Sequence, residues 1–149
     1  CLLGAGGAAA GILGALLRAR PARVLIANRT LERARDLAER HADLGPLDTC
    51  APAEIAARAP FELVLNCTSA GHAGKAPPLA REWLAPGGLC YDLNYGGAAA
   101  PLKLACERLC IAYSDGLGML VGQAARSFQL WTGQRPDAAA VLAELRPQH

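Results

Sequence analysis

Aromatic residues are scarce in this 149-residue chain, at 5%, and there is one methionine. With so few bulky side chains the core must be built mostly from Ala, Leu and Val, so its helices are expected to pack closely. Charge is scarce too. Charged residues make up 19% and the formal net charge is +2, a balance that gives no footprint for nucleic acid. The six cysteines, at 1, 50, 67, 90, 106 and 110, include no C-x-x-C pair. Zinc-ribbon and dithiol redox spacings are therefore absent, and no metal site is read. Cys67 and Cys90 lie in apolar runs and are expected to pack as small hydrophobes. No run is apolar enough for a bilayer, because the stretch from Leu2 to Leu17 is rich in Gly and Ala and ends at Arg18. No secretory leader is read, so the expected compartment is a reducing cytoplasm and no membrane partner is implied. An initiator methionine is lacking as well, and only Cys1-Leu2-Leu3 precede the first glycine turn. The chain reads as cut within its first strand.

Hydrophobic residues make up 52%, enough for one folded domain with a sizeable core. Strand-like runs alternate with helical patterns, which argues for βαβ units and a parallel sheet. Residues 8–18 read as a helix, with Gly11 and Gly14 placed to let it approach the sheet. Residues 23–27 are a continuous apolar strand, as expected when both faces are buried. Thr30 is placed to cap the next helix. That helix carries a core stripe of Leu31, Ala34, Leu37, Ala38 and His41 and surface pairs Glu32–Arg35 and Asp36–Arg40.

Further strands are expected at 46–49, 61–66, 89–93 and 110–113, with a turn at Pro86-Gly87-Gly88 before the third of these. Short helical segments are expected at 52–58 and 79–84, and a helix at 101–108. A long helix then runs to about Trp131, with positions 117, 121, 124, 128 and 131 forming its buried stripe. Asp137 caps a last helix, which Pro147 stops. Arginines other than Arg29 and Arg33 read as solvated surface.

Two early motifs carry chemistry. Gly4-Ala5-Gly6-Gly7-Ala8-Ala9 lies between a strand and a helix. Such a turn lets backbone amides approach a pyrophosphate, which the positive end of the helix also favours. Asn28-Arg29-Thr30-Leu31-Glu32-Arg33 follows the second strand, where a dinucleotide fold meets the adenosine ribose. An acid there would bind a free 2′-hydroxyl, whereas Arg29 and Arg33 offer fork-shaped donors suited to a 2′-phosphate. NADP is therefore expected over NAD. The motifs Asn66-Cys67-Thr68-Ser69-Ala70-Gly71 and Tyr91-Asp92-Leu93-Asn94-Tyr95-Gly96 close later strands, at the edge where such sheets bind ligands. His72 reads as an exposed loop histidine, with no carboxylate near it in sequence.

With Asp115-Gly116-Leu117-Gly118-Met119-Leu120-Val121-Gly122-Gln123-Ala124, the five motifs in order resemble the C-terminal, NADP-binding half of the shikimate dehydrogenase family, over essentially the whole chain. The resemblance implies an α/β, Rossmann-like, doubly wound parallel sheet, a three-layer αβα sandwich with strand order 3-2-1-4-5-6. It also implies reversible NADPH-dependent reduction of 3-dehydroshikimate to shikimate, in the synthesis of aromatic amino acids. On this resemblance Gly4, Gly6, Gly7 and Ala8 line the pyrophosphate, and Asn28, Arg29, Thr30 and Arg33 hold the adenosine ribose and its 2′-phosphate. Thr68 and Ser69 border the adenosine side. Leu93, Gly116 and Met119 approach the nicotinamide, and Tyr95 and Gln123 reach the substrate. The family's catalytic Lys and Asp lie in a substrate domain that this chain lacks, and neither Lys75 nor Lys103 replaces that lysine. The helices of about 115–146 are expected to pack on the sheet and reach that domain, and the isolated chain to bind NADP(H) without turnover. The alternatives are a quinate/shikimate paralogue, a non-catalytic nucleotide-binding module, or a domain that binds nothing.

Overall fold

The computed structural model describes residues 1–146. Its strands are β1 (Leu2–Leu3), β2 (Val24–Ala27), β3 (Leu47–Cys50), β4 (Phe61–Asn66), β5 (Leu84–Asp92) and β6 (Ala112–Ser114). Its α-helices are α1 (Gly7–Arg18), α2 (Leu31–Glu39), α3 (Ala100–Arg108), α4 (Leu117–Thr132) and α5 (Ala138–Leu145). The strands form one sheet in the order β3-β2-β1-β4-β5-β6, and every pairing is parallel. This is the expected doubly wound order. β1 is central, with Leu2 opposite Ile26 on one side and Leu65 on the other.

Alternation along the strands divides the core in two. Leu2, Val24, Ile26 and Leu65 pack with Ala9, Leu13 and Leu17 of α1 and with Ala34 and Leu37 of α2. Leu3, Leu25, Ala27 and Val64 face the other way, against Leu102 and Cys106 of α3 and the buried Ile55 and Trp83. Adjacent residues of one strand thus serve opposite layers, the period that a two-sided sheet requires. Cys67 and Cys90 are buried among these apolar groups. Burial pushes the Cys67 thiol up to about 12, so it stays protonated and packs as a small hydrophobe.

Several local expectations are corrected. Gly11 points to open space, and a Cβ at Gly14 would meet only Arg18 and Leu44. The faces of α1 that approach the sheet are Ala9, Leu13 and Leu17 instead. Thr30 occupies the N-cap of α2, but its side chain makes no capping hydrogen bond. Ala34 and Leu37 are buried and the half-buried Ala38 packs against the same cluster, whereas Leu31 and His41 are only half-buried and stand outside it. Arg40 donates its Nε to the Asp36 carbonyl at 3.1 Å rather than pairing with the carboxylate.

Residues 52–58 form two 3-10 turns, Pro52–Glu54 and Ala56–Arg58, and the segment at 79–84 is a single turn at Arg81–Trp83. The Pro86-Gly87-Gly88 turn lies inside β5: Phe61 pairs with Leu84 and Leu63 with Leu89, so the extra residues bulge out of the ladder. Cys110, at φ 52°, redirects the chain, and β6 starts only at Ala112. Arg23 is exposed, as expected, but it also has partners. Its guanidinium lies 4.5 Å from the Phe61 ring centroid and donates to the Pro60 carbonyl at 2.7 Å.

The largest difference is in α4. Of its expected stripe only Val121 is buried, while Phe128 is 43% and Trp131 82% exposed. The helix packs on α5, and the far half of its apolar face has no layer over it among the described residues. Asp137 does cap α5, its Oδ1 accepting from the amides of Ala139 and Ala140 at 3.0 Å. Pro147 lies outside the described residues. No described helix is long and apolar enough to cross a membrane.

Leu13 is fully buried between α1 and the sheet. Leu13→Ala is expected to lower unfolding stability by about 3 kcal/mol through lost transfer energy and a residual cavity. Urea denaturation monitored by circular dichroism checks this; a loss below about 1 kcal/mol would mean that the α1 layer is loosely packed.

Candidate functional site

Parallel pairing points the carboxyl ends of β1, β2, β4 and β5 to one edge of the sheet, and a cleft of about 610 Å³ opens there. Its walls include Gly4, Ala5 and Gly6 after β1, Asn28 and Arg29 after β2, Thr68 and Ser69 after β4, and Lys75 farther along that loop.

Two glycines of the first turn do different work. Gly4 adopts φ +102°, and a Cβ on it would come within 3.2 Å of the Cys67 carbonyl oxygen and the Thr68 methyl. A side chain is therefore excluded by both backbone and neighbour. Gly6, the N-cap of α1, has nothing within 4 Å of its missing Cβ. It leaves a bare approach to the first amides of α1, which carries no side-chain cap and no acid in its first turn. Unpaired N–H groups and the positive helix end suit an anion. Gly7 and Ala8 are exposed at the same place.

Asn28 braces this turn. Its Oδ1 accepts from the Ala5 amide at 3.2 Å, and its Nδ2 donates to the Thr30 carbonyl at 2.8 Å. One side chain thus fixes the glycine turn against the β2–α2 turn. Arg29 and Arg33 are both exposed; Arg29 lies on the cleft wall, and Arg33 sits on the first turn of α2 beyond it. Thr30 is exposed beside them.

The remaining predicted residues stand beyond the cleft's lining. Leu93 follows β5, and Gly116 and Met119 flank the start of α4. A Cβ on Gly116 would lie 2.7 Å from the Leu93 carbonyl carbon, so glycine alone lets these segments touch. Tyr95 is 47% exposed, and Gln123 is exposed on α4. Among the described residues the structure brings the glycine turn, Asn28, Arg29, Thr68 and Ser69 into one cleft, and outside its lining it brings Leu93 and Gly116 into contact. His72 is exposed.

A buried polar cluster links Thr68 of the cleft to the Leu93 and Gly116 segments. Asp92 and Asn66 are the buried polar side chains of the core. Asp92 Oδ1 accepts from Asn66 Nδ2 at 2.8 Å, from the Asn94 amide at 3.0 Å and from Asn94 Nδ2 at 2.9 Å. Tyr113 approaches Oδ2 at a long 3.5 Å while also donating toward the Ala99 carbonyl at 3.3 Å. Asn66 Oδ1 accepts from the Thr68 amide at 3.0 Å and the Thr68 hydroxyl at 2.7 Å. Burial raises the Asp92 carboxyl above the ordinary carboxylate range, and the hydrogen bonds from Asn94, Asn66 and Tyr113 oppose that rise. Burial likewise pushes the Tyr113 phenol up, with Asp92 beside it adding to the shift.

Residues 1–73 match a family model described as shikimate / quinate 5-dehydrogenase, and residues 116–146 match one described as the shikimate 5′-dehydrogenase C-terminal domain. Together these take in more than half of the chain. The chain belongs to the shikimate dehydrogenase family. It is 45% identical over 148 residues to the shikimate dehydrogenase (NADP(+)) of Methylococcus capsulatus, covering 99% of this chain and 53% of that protein. Among solved structures, it superposes on an Ael1 enzyme from Pseudomonas putida with a TM-score of 0.83 and 38% identity, covering 99% of this chain and 54% of that one. A shikimate 5-dehydrogenase from Thermus thermophilus, in complex with NADP(H) and shikimate, gives 0.72 and 32%, over 95% of this chain and 52% of that one. The chain spans about half the length of the curated relatives it matches.

Within this family frame, the residues that sequence reasoning passed over are the internal ones. Asn66, Asp92, Asn94 and Tyr113 drew no role, although the first three sit at the ends of apolar strands. A polar side chain there, followed by a polar turn, was the available signal.

Asp92 sets a pH dependence. Its carboxyl is raised in the folded protein, so the native state holds the proton longer than the unfolded chain does. Native stability from this group is therefore present at low pH and is lost as pH rises through the window above about 4. Asp92→Asn removes that loss, so the variant should gain stability relative to the parent as pH rises from about 4 to about 7. Urea unfolding across that range checks it; a difference independent of pH would show that Asp92 titrates normally.

Proposed function

We propose that this chain is the NADP(H)-binding half of a shikimate dehydrogenase, the enzyme that reversibly reduces 3-dehydroshikimate to shikimate. The observation that carries the reading is the joint presence in one cleft of a bare helix N-terminus behind Gly4 and Gly6 and of the Arg29 guanidinium. The residues fit a dinucleotide phosphate. The open space beside Gly6 and Gly7 is what a Cβ would fill, and no acid stands in the first turn of α1.

In this reading the α1 amides and Gly4, Gly6, Gly7 and Ala8 hold the pyrophosphate. Arg29 and Arg33 neutralise the adenosine 2′-phosphate, with the free Thr30 hydroxyl as a further donor. Asn28 holds the two turns at fixed separation and borders the ribose, and Thr68 and Ser69 flank the adenosine. Leu93, Gly116 and Met119 form an apolar shelf for the nicotinamide, and Tyr95 and Gln123 offer polar groups toward substrate. When bound, NADPH supplies the hydride. The proton donor and the other wall of the substrate site belong to the half of the enzyme that relatives carry beyond this chain. The exposed Phe128, Trp131, Val141 and Leu145 of α4 and α5 would meet that half. The chain alone is expected to bind cofactor without turning over shikimate.

Parallel fluorescence titrations with NADPH and NADH test this. NADPH should bind more tightly, and Arg29→Ala should weaken NADPH about tenfold or more while leaving NADH nearly unchanged, because a charge-assisted phosphate contact is lost. Equal affinity for both cofactors would contradict the NADP assignment and favour a quinate-type paralogue. Binding of neither would contradict the cofactor reading itself.

A further inference from the structure

We propose that Asn94 is a positioning residue that sets the nicotinamide side of the cleft against its adenosine side. The inference rests on the cofactor reading above and assigns the coupling between its two halves to one side chain.

Asn94 makes four hydrogen bonds, reaching the loop after β4, the end of β5 and the start of α4. Its Nδ2 donates to the Thr68 carbonyl at 3.1 Å, in the loop after β4 that presses on Gly4. The same Nδ2 and its own amide donate to Asp92 Oδ1 at the end of β5. Its carbonyl accepts from the Gly116 amide at 2.9 Å, at the start of α4. Gly116 in turn is pressed against the Leu93 carbonyl. The Leu93 amide donates to the Asn66 carbonyl at 3.0 Å. Thr68 thus stands on one side of Asn94, and Leu93 and Gly116 on the other. An amide side chain with two Nδ2 hydrogens is what this place requires, since both its neighbours, a carboxylate and a carbonyl, only accept. Asn28 performs a similar office between the glycine turn and the arginine turn, and Thr68 on that side keeps its two hydrogen bonds to Asn66 when Asn94 is replaced.

The consequence is a split in affinity. Adenosine 2′,5′-bisphosphate carries the adenosine and its 2′-phosphate but no nicotinamide, so it reports the adenosine side of the cleft. Asn94→Ala should weaken NADPH binding by the chain about tenfold, because the Thr68 carbonyl loses its side-chain donor, Asp92 Oδ1 loses one of three donors, and the nicotinamide shelf shifts. Binding of the bisphosphate should stay within about twofold of the parent. Asn94→Ser, whose short hydroxyl does not span from Asp92 to Thr68, should give the same split and serves if the alanine variant does not fold.

Isothermal titration of both ligands against the parent and the two variants decides it. Loss confined to NADPH supports the inference. Unchanged binding of both ligands overturns it, and so does an equal loss of both, which would make Asn94 merely structural. Failure of the parent chain to bind either ligand would instead overturn the cofactor reading.

Discussion

Parallel pairing is the constraint on which this molecule depends. A strand that runs parallel to its neighbour must return by a crossover, so all six carboxyl ends point one way. Each polar motif of the sequence ends a strand, and therefore all of them meet at one edge. The order reverses at β1, which has β2 on one side and β4 on the other. The cleft opens at that reversal, the place where ligands of doubly wound sheets bind.

Polar groups at this edge fall into two sets with opposite demands. Arg29, Arg33 and Thr30 stand in solvent, where a charge costs little until a ligand arrives. Asn66 and Asp92 are fully buried, where an unpaired polar atom would cost a few kcal/mol. No described buried side-chain nitrogen or oxygen lacks a hydrogen-bond partner. The buried set is thus a completed brace, and the exposed set is left open for a ligand. Glycine contributes by absence at Gly4 and Gly116, where backbones approach too closely for a Cβ.

The sheet was legible in the sequence because buried parallel strands are continuous apolar runs. Strand Phe61–Asn66 followed from that pattern, and the order of all six was implied by the family resemblance. The glycine turn was legible because its chemistry is local. The α4 stripe was not. Its four-and-three spacing marks an apolar face correctly but says nothing of what covers it, and Phe128 and Trp131 stand in solvent. The roles of Asn94 and Asp92 were hidden for a related reason. A motif shows which residues end a strand, whereas the brace depends on Asn66 and Asp92, 26 residues apart, meeting across neighbouring strands. Asn28 was read toward ligand, and its protein partners, Ala5 and Thr30, became visible only in three dimensions.

The central claim is that one edge of the sheet, at the turns after β1, β2 and β4, is where this chain takes NADPH. Amide chemical-shift mapping of the isotope-labelled chain during an NADPH titration tests it most directly. The account predicts the largest shifts at residues 4–9, 28–33 and 67–70, with smaller ones at 93–95 and 116–119. Shifts confined to the exposed apolar residues of α4 and α5, or absent from the glycine turn at saturation, would contradict it.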